Sequence, residues 1–330
     1  MSIRILATGS YVPERILTNF DLEKMVETSD EWIRTRTGIE QRHLSKPEQA
    51  SSDLATAAAQ KALGRAGLAG SDLDAIIIAT VTPDHFFPST ACLVQRNIGA
   101  VGAFSFDMAA ACSGLIYALQ VGYSLMKTMP ETYRKVLVTG VEMPTRLVDW
   151  TDRNTCVLFG DGAGAVILGN DGKDDGQDFL VSSDLHTDGT LGDLLKLPAG
   201  GSRMPASAET VAAKQHYIHM EGREVFKNAV AGMVNSSRAA LQKAGLTAAD
   251  LRWVIPHQAN IRIIDAVAQR LEAKPEQVYT NIARFGNTSA ASIGICLDEI
   301  DTKELIRPGE LMLLTAFGGG LTWGGMVIRR

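Results

Sequence analysis

The chain has 330 residues, of which 45% are hydrophobic and 21% are charged. Its 32 lysines and arginines against 37 acidic residues give a net charge of −5, which argues against a general nucleic-acid-binding protein. This length exceeds what one hydrophobic core usually organises, so two domains or two fused half-units are expected.

The amino-terminal stretch and the cysteines indicate where the protein works. The first apolar run, MSIRILATGSYVPERIL, is too short for a secretory leader and is broken by Gly and Pro. No window holds the roughly 18 apolar residues that a membrane span needs. The four cysteines are far apart, without a CxxC pair or zinc-finger spacing. We therefore expect a soluble, cytoplasmic protein with free thiols and no metal site.

A short helix is predicted between Thr28 and Gly38. Thr28 and Glu31 have the spacing of a capping box, and Gly38 is a typical helix stop. Trp32 and Arg36 are four residues apart and so share one helix face. The pattern alone is most simply a surface ion pair beside a packed tryptophan.

A repeated segment predicts that the chain is built from two duplicated halves. Residues 62–73 (ALGRAGLAGSDL) and 240–251 (ALQKAGLTAADL) match at seven of twelve positions, with an offset of 240 − 62 = 178. Each copy resembles a helix end followed by a buried strand. We expect halves at residues 1–178 and 179–330, each a mostly parallel sheet with helices on both faces. The alternative is a chance match between two common helix ends.

Cys112 is the cysteine with the most distinctive surroundings. The strand-like GAFSFDM precedes it, and the apolar, helix-like SGLIYALQVGYSLMK follows it. A helix N-terminus stabilises a thiolate and lowers its pKa, so Cys112 is a candidate nucleophile; a buried structural cysteine is the alternative. Cys92, Cys156 and Cys296 are interpreted as core residues.

The second half contributes two candidate partners. His257 follows the strand-like WVIP, at the carboxyl end of a strand, where ligands of open α/β sheets bind. Asn287 lies in NIARFGNTSAAS before an apolar helix, and subtracting 178 from 289–291 gives 111–113, the turn that holds Cys112. A structural histidine and a turn-forming asparagine remain the simpler interpretations of each residue alone.

Glycine-rich segments close both halves. In AFGGGLTWGG, Gly319 has no side chain to keep its backbone N–H from a substrate. The segment FGDGAGAVILG (159–169) has a G-x-G-x-G appearance, but a strand follows it where a dinucleotide fingerprint needs a helix. We therefore do not expect nucleotide binding there.

Taken in order, ACSG, HQAN, GNTSAAS and FGGGLTWG resemble the β-ketoacyl-acyl carrier protein synthase III family. Members are the initiating condensing enzymes of bacterial fatty acid synthesis. The resemblance implies an α/β thiolase-like fold, a five-layered αβαβα sandwich of two duplicated halves. It also implies an acyltransferase that condenses a short acyl-CoA with malonyl-acyl carrier protein, works as a homodimer and needs no cofactor.

The resemblance also assigns roles to individual residues. Cys112 corresponds to the nucleophile, His257 and Asn287 to the donors that stabilise the enolate, and Gly319 to an oxyanion donor. Arg262 corresponds to the residue that meets the acidic carrier protein, and Arg223, Lys227 and Arg270 are possible extensions of that patch. Phe87 matches the aromatic residue that a partner subunit inserts into the acyl pocket. The residues that match the coenzyme A site are Thr28, Trp32, Arg36, Arg153, Gly222, Phe226 and Asn260.

Related enzymes differ at these positions. Thiolases need a second cysteine near the C-terminus, elongating condensing enzymes use two histidines, and type III polyketide synthases are longer and end in a different Gly-Pro loop. Three alternatives stay open: a related enzyme of secondary metabolism, a non-catalytic partner subunit and a thioesterase. The intact Cys112, His257 and Asn287 argue against a non-catalytic subunit. The primer and the loops at 171–178 and 198–215 are not predicted.

Overall fold

The computed structural model describes residues 2–170 and 174–330. Its strands are β1 (Arg4–Tyr11), β2 (Arg15–Thr18), β3 (Gln41–Leu44), β4 (Ala75–Ala79), β5 (Phe104–Met108), β6 (Lys135–Glu142), β7 (Gly162–Gly169), β8 (Leu180–Thr187), β9 (Leu195–Lys196), β10 (His219–Met220), β11 (Trp253–Pro256), β12 (Leu311–Gly318) and β13 (Thr322–Arg329). Its helices are α1 (Asn19–Leu22), α2 (Asp30–Thr37), α3 (Ser51–Ala66), α4 (Thr90–Asn97), α5 (Gly114–Thr128), α6 (Ala208–Ala212), α7 (Gly222–Ala244), α8 (Ile261–Arg270), α9 (Ile282–Phe285) and α10 (Ala291–Thr302).

Two mixed sheets form the frame of the molecule. The first has the order β1-β7-β6-β4-β5 and the second β11-β12-β13-β8. The pairs β4–β5, β4–β6 and β11–β12 are parallel, whereas β7 and β13 run antiparallel to both of their neighbours. The expectation of mostly parallel sheets is therefore wrong. Between β12 and β13 the reason is simple, because a three-residue connection forces an antiparallel pair.

The layers are stacked in the predicted αβαβα order. Helices α3 and α4 cover the outer face of the first sheet, and α7 and α8 cover the outer face of the second. Helices α5 and α10 lie between the two sheets and contact both of them. A buried apolar cluster spans this middle layer, with Leu115, Leu119, Ile293 and Leu297 among its members. The predicted fold class is confirmed.

The repeated segment has the same local structure in both copies. Helices α3 and α7 end at Gly67 and Gly245, whose φ angles of 64° and 68° are in the left-handed region that glycine tolerates. A short 3₁₀ turn follows in each case and leads into β4 or β11. The division of the chain at residues 178 and 179 stays a prediction. Residues 171–173 of the predicted connection lie outside the described residues.

Three local expectations are wrong. Helix α2 is capped by Ser29, whose hydroxyl accepts the N–H of Trp32 at 3.1 Å, so Thr28 precedes the cap instead of forming it. Cys92 lies on α4 as expected, but it faces solvent, because only the other side of this helix packs on the sheet. Cys156 is buried, but in a turn and not in a strand.

The described helices give no membrane span. Within residues 2–170 and 174–330, no helix combines the length and the apolar character that a bilayer crossing requires.

The contact between β7 and α10 depends on two facing glycines. A Cβ atom on Gly164 would lie 2.5 Å from the Cα of Gly294, well inside van der Waals contact. We therefore predict that Gly164→Ala lowers the free energy of unfolding by about 1–3 kcal/mol in urea denaturation, because α10 must move away from β7 to make room for the added methyl group. Gly64→Ala is the matched control: it lies on the exposed side of α3 with open space around it, and should add about 0.4–1 kcal/mol. Equal effects of the two substitutions would contradict this explanation.

Candidate active site

Two cavities meet at Cys112. The first, of about 260 Å³, is lined by Cys112, His257 and Asn287 at its inner end. The second, of about 250 Å³, begins at Cys112 and Gly319 and is otherwise largely apolar. The structure therefore brings the predicted nucleophile and both predicted donors, which are far apart in the sequence, to one place.

The turn between β5 and α5 presents Cys112. A 3₁₀ turn of Ala111–Ser113 leads into the helix, and Ala111 has a φ angle of 44°, unusual for a residue with a side chain. The end of β12 presses against this turn: a Cβ on Gly318 would lie 2.7 Å from the backbone nitrogen of Cys112. The hydroxyl of Ser113 donates to the carbonyl of Thr322 at 3.0 Å. The carboxyl edge of the second sheet thus fixes the turn.

Burial dominates the acidity of the Cys112 thiol. Loss of hydration raises its pKa to about 12; the hydroxyl of Ser289, 3.4 Å from the sulfur, acts in the opposite direction, and the Glu142 carboxyl raises the pKa further. Backbone hydrogen bonding at the turn lowers the pKa of the thiol, in the direction expected from a helix N-terminus, but desolvation outweighs this effect. The thiol rests in its protonated form.

His257 is a buried, neutral imidazole at the end of β11. Its side chain and backbone are only 2% exposed, and its backbone N–H donates to the carbonyl of Thr315 at 2.7 Å. Nδ1 shares a hydrogen bond of 2.7 Å with the hydroxyl of Ser292 on α10. Burial lowers the pKa of His257 to about 3, because nothing compensates the charged ring for its lost hydration. With Nδ1 bonded to Ser292, Nε2 is the nitrogen left for a ligand in the cavity.

The backbone of Asn287 is fixed by two hydrogen bonds to the segment 158–160. Its backbone N–H donates to the carbonyl of Leu158 at 2.8 Å, and its carbonyl accepts the N–H of Gly160 at 3.1 Å. The side-chain oxygen accepts the N–H of Ser289 at 2.9 Å, which leaves the NH₂ group as the donating end. The preceding Gly286 has a φ angle of 65°, and a Cβ there would lie 2.9 Å from the carbonyl of Leu158. The turn therefore needs glycine at this position.

The first cavity runs out to a cationic and aromatic mouth. The guanidinium carbons of Arg36 and Arg153 lie 4.8 Å and 5.1 Å from the centre of the Trp32 ring. Arg262 lies 6.0 Å from the Phe226 ring centre. The predicted coenzyme A and carrier-protein residues that line this cavity are Trp32, Arg36, Gly222, Phe226, Asn260 and Arg262. A flat ring that entered between Trp32 and Arg36 would have to displace the guanidinium.

Three predicted residues line neither of the two cavities. Thr28 is near the start of α2, and its hydroxyl is buried without a hydrogen-bond partner. Arg153 donates to the backbone carbonyl of Glu27 at 3.1 Å. Phe87 is 87% exposed and lines neither cavity of the single chain. Its predicted role needs a second subunit.

Three polar residues of the site were not found from the sequence. Ser289 and Ser292 stand in the quoted GNTSAAS motif, but nothing in the motif says which hydroxyl faces which partner. Glu142 is fully buried beside Ser289, at the carboxyl end of β6. A single acid at the carboxyl end of a buried strand was an available signal, because carboxyl ends of parallel strands collect functional residues.

No metal cluster accompanies these residues. In the part of the chain that the structure describes, residues 2–170 and 174–330, no three His, Cys, Asp or Glu side chains are grouped to hold an ion.

Comparisons with known proteins identify the family of the chain. Residues 106–189 match the family model described as 3-oxoacyl-[acyl-carrier-protein] synthase III, and residues 241–330 match the model of its C-terminal part. The β-ketoacyl-[acyl-carrier-protein] synthase III of Caldanaerobacter subterraneus subsp. tengcongensis is 54% identical over 325 residues, which cover 98% of this chain and 97% of that protein.

Solved structures resemble the whole chain. The crystal structure of 3-oxoacyl-[acyl-carrier-protein] synthase III from Aquifex aeolicus has a TM-score of 0.90 and 46% identity, with 100% of both chains covered. The priming β-ketosynthase of the R1128 polyketide biosynthetic pathway has a TM-score of 0.91 and 32% identity, and covers 99% of this chain and 96% of its own. Fold and site thus define a condensing enzyme of the thiolase-like class. Within that class, the chain belongs to the 3-oxoacyl-[acyl-carrier-protein] synthase III family.

The buried imidazole generates a direct prediction. The nuclear magnetic resonance signals of the His257 ring should not shift between about pH 8 and about pH 5, although an imidazole in water titrates near pH 6.5. Because the unfolded chain binds the proton that the folded site refuses, the protein should also lose stability as the pH falls from about 6.5 toward 3. The spectrum of His257→Gln identifies the signal. A midpoint near 6.5 would show that the ring is solvated and would contradict the described burial.

Proposed function

We propose that this enzyme condenses a short acyl group, delivered as a coenzyme A thioester, with malonyl-acyl carrier protein. The products are a 3-oxoacyl-acyl carrier protein, CO₂ and free coenzyme A, and the reaction initiates fatty acid synthesis. One observation carries the proposal: the thiol of Cys112 and two neutral nitrogen donors, His257 and Asn287, line the inner end of one cavity. The family relationship supports it.

In the first half-reaction Cys112 takes up the acyl group. The sulfur attacks the thioester carbonyl, and coenzyme A leaves. The backbone N–H groups of Cys112 and Gly319 stabilise the oxyanion, and losing one such donor typically costs about 3 kcal/mol of barrier. The first cavity accommodates the pantetheine arm, and the second, which begins at the sulfur, accommodates the acyl chain.

In the second half-reaction malonyl-acyl carrier protein loses CO₂. Decarboxylation leaves the electron pair on the α-carbon, so no base has to remove a proton from carbon. The enolate oxygen instead needs donors, and the Nε2–H of neutral His257 and the NH₂ of Asn287 provide them. The enolate then attacks the acyl-Cys112 thioester. A neutral donor suits this dry site, because a charged imidazolium would be destabilised by burial.

The active enzyme is a homodimer in this proposal. Phe87 is almost fully exposed in the single chain, next to the equally exposed Phe86, and a second subunit would bury both. Phe87 would then close the acyl cavity of the partner. We also place the enzyme in the cytoplasm, where its free cysteines stay reduced.

A second candidate is a priming enzyme of secondary metabolism. The similarity to the R1128 priming ketosynthase, with 32% identity and a TM-score of 0.91, supports it. Comparing malonyl-acyl carrier protein with malonyl-CoA as extender, and mass spectrometry of Cys112 after exposure to a panel of acyl-CoAs, separates the two candidates and identifies the primer.

The two half-reactions should fail separately. Cys112→Ser should lose acylation by acetyl-CoA, measured as the mass of the Cys112 peptide, but keep release of labelled CO₂ from malonyl-acyl carrier protein. Asn287→Ala should keep acylation and lose about 10²–10³-fold in CO₂ release, the usual effect of removing one such donor. Equal loss of both steps in each variant would contradict this division of roles.

Arg262 should govern affinity for the carrier protein. Arg262→Glu, at the mouth of the first cavity, should raise the KM for malonyl-acyl carrier protein at least about tenfold, because it replaces an attraction to an acidic partner with a repulsion. The KM for acetyl-CoA should change much less. Arg134→Glu is the matched control, since Arg134 is exposed next to the start of β6, at the opposite end of that strand from Glu142. If both variants raise the KM equally, general charge and not a docking site explains the effect.

A further inference from the structure

The mechanism above gives no role to a buried ionisable group that lies beside the nucleophile. Glu142 is 0% exposed and lines the second cavity together with Cys112. Its Oε2 accepts the hydroxyl of Thr82 at 2.8 Å, and its Oε1 accepts the backbone N–H of Val81 at 3.1 Å. A buried carboxyl group without a cationic partner is costly, so its presence beside the nucleophile needs an explanation.

A single hydroxyl connects this carboxyl group to the nucleophile. Ser289 Oγ lies 3.4 Å from Cys112 Sγ and 3.4 Å from Glu142 Oε1. One hydroxyl proton cannot donate to both neighbours at once. With Glu142 ionised, Ser289 donates to the carboxylate and accepts the S–H of Cys112; with Glu142 protonated, Ser289 accepts from the carboxyl group and donates to the sulfur. Both arrangements give a hydrogen-bond partner to the thiol, to the Ser289 hydroxyl and to the Glu142 carboxyl group.

We propose that Glu142 receives the proton of Cys112 through the hydroxyl of Ser289 when the thiol attacks an acyl-CoA. Ser289 touches the reacting sulfur and is a catalytic residue, whereas Glu142 acts through it and is a positioning residue that stores the proton. The role in turnover rests on the proposed function, but the relay itself is a property of the thiol.

The proton balance closes over one catalytic cycle. As the sulfur forms its bond to the carbonyl carbon, the S–H bond breaks, the proton passes to Ser289 Oγ, and the original hydroxyl proton of Ser289 passes to Glu142 Oε1. Coenzyme A leaves with the electron pair of the broken C–S bond and is protonated by solvent. After the condensation, the enolate displaces Cys112 as a thiolate, which recovers its proton from Glu142 by the same path. Glu142 returns to its ionised form.

The relay also removes a conflict from the roles of His257. The decarboxylation step needs Nε2 of this ring as a hydrogen-bond donor, and a ring that had just taken the thiol proton would carry a charge that the site disfavours. The hydroxyl of Ser289 lies 3.4 Å from the sulfur, and Nδ1 of His257 is bonded to Ser292. A separate proton acceptor on the acyl side of Cys112 leaves His257 neutral throughout.

The acidity of Glu142 suits an acceptor that works near neutral pH. Burial raises the pKa of Glu142 to about 7, while hydrogen bonds from Thr82, Val81 and Ser289 oppose the rise. The ionisable residues that line the second cavity with Glu142 are Cys112 and Lys196, and the ammonium group of Lys196 is bonded to Asp193 at 2.7 Å. The active, ionised form of Glu142 therefore predominates above about pH 7.

The test is the pH dependence of the reaction of Cys112 with iodoacetamide, read from the Cys112 peptide by mass spectrometry. In the wild type, the rate should rise with pH and bend near pH 7, where Glu142 ionises. Glu142→Gln and Ser289→Ala should each slow the reaction about 100-fold at pH 8 and lose the bend, since a positioned base typically contributes that much. The double variant should be no slower than either single one, because the two residues act as one unit.

Opposite outcomes would overturn the relay. If Glu142 only opposes the thiolate by its charge, Glu142→Gln lowers the pKa of Cys112 and speeds the reaction. Independent losses that multiply in the double variant would also contradict the proposal. Exposed Cys92 is an internal control in every sample, and Asp161→Asn, which removes another fully buried carboxyl group that bonds Thr145 and not Cys112, should leave the rate unchanged.

A milder variant keeps the test decisive if Glu142→Gln does not fold. Thr82→Val removes a hydroxyl that favours the ionised carboxylate, so the bend in the pH profile should move to higher pH. Above that pH, the alkylation rate should reach the wild-type value. An unmoved bend would contradict the assignment to Glu142. Acylation by acetyl-CoA is measured in parallel: its absence in the wild type would refute the proposed function but not the relay, and normal acylation with unaffected alkylation in the variants would refute only the relay.

Discussion

Everything at this site depends on the packing of two central helices between two sheets. Helices α5 and α10 lie next to each other in the middle layer. The turns that precede them contain Cys112 and Ser289, which are in contact although they are 177 residues apart in the sequence. Small residues allow this approach: a Cβ on Gly114 would lie 2.9 Å from the side chain of Ala79 and 3.4 Å from that of Ala290. A bulkier residue at Gly114 would separate the thiol from the donors of the second half.

The same packing sets the electrostatic character of the site. Desolvation raises the pKa of Cys112 and lowers that of His257, so both groups rest in their neutral forms. A condensing reaction that generates its carbanion by loss of CO₂ needs donors of this kind and no base at carbon. The one step that does release a proton is the attack by the thiol, and Glu142 is the buried group placed to receive it through Ser289. Burial thus keeps the thiol and the imidazole neutral for both half-reactions, whereas Glu142 ionises near neutral pH.

Several parts of this architecture can be predicted from local sequence patterns. The two glycine-ended helices, the strands that follow them and the turn at Cys112 were predicted from short-range rules of capping and periodicity, whereas the fold class was implied by the resemblance of the ordered motifs to a known family. The direction of β7 and β13, the exposure of Cys92 and the acidity of Cys112 were not. Each is fixed by tertiary neighbours: a strand's partners, the helix face that a sheet covers and the loss of water around a sulfur. Glu142 was missed for the same reason, since its only signal is its position at the end of a buried strand.

The convergence of the two halves at atomic distance is the central claim, and disulfide trapping tests it most directly. Cys112 Sγ and Ser289 Oγ are 3.4 Å apart, so Ser289→Cys should form an intramolecular disulfide with Cys112 under mild oxidation. Mass spectrometry of a digest without reductant would find the two peptides joined, while exposed Cys92 stays outside the bond. If the thiols at 112 and 289 remain free under conditions that oxidise Cys92, the two turns do not meet, and the common site described here does not exist.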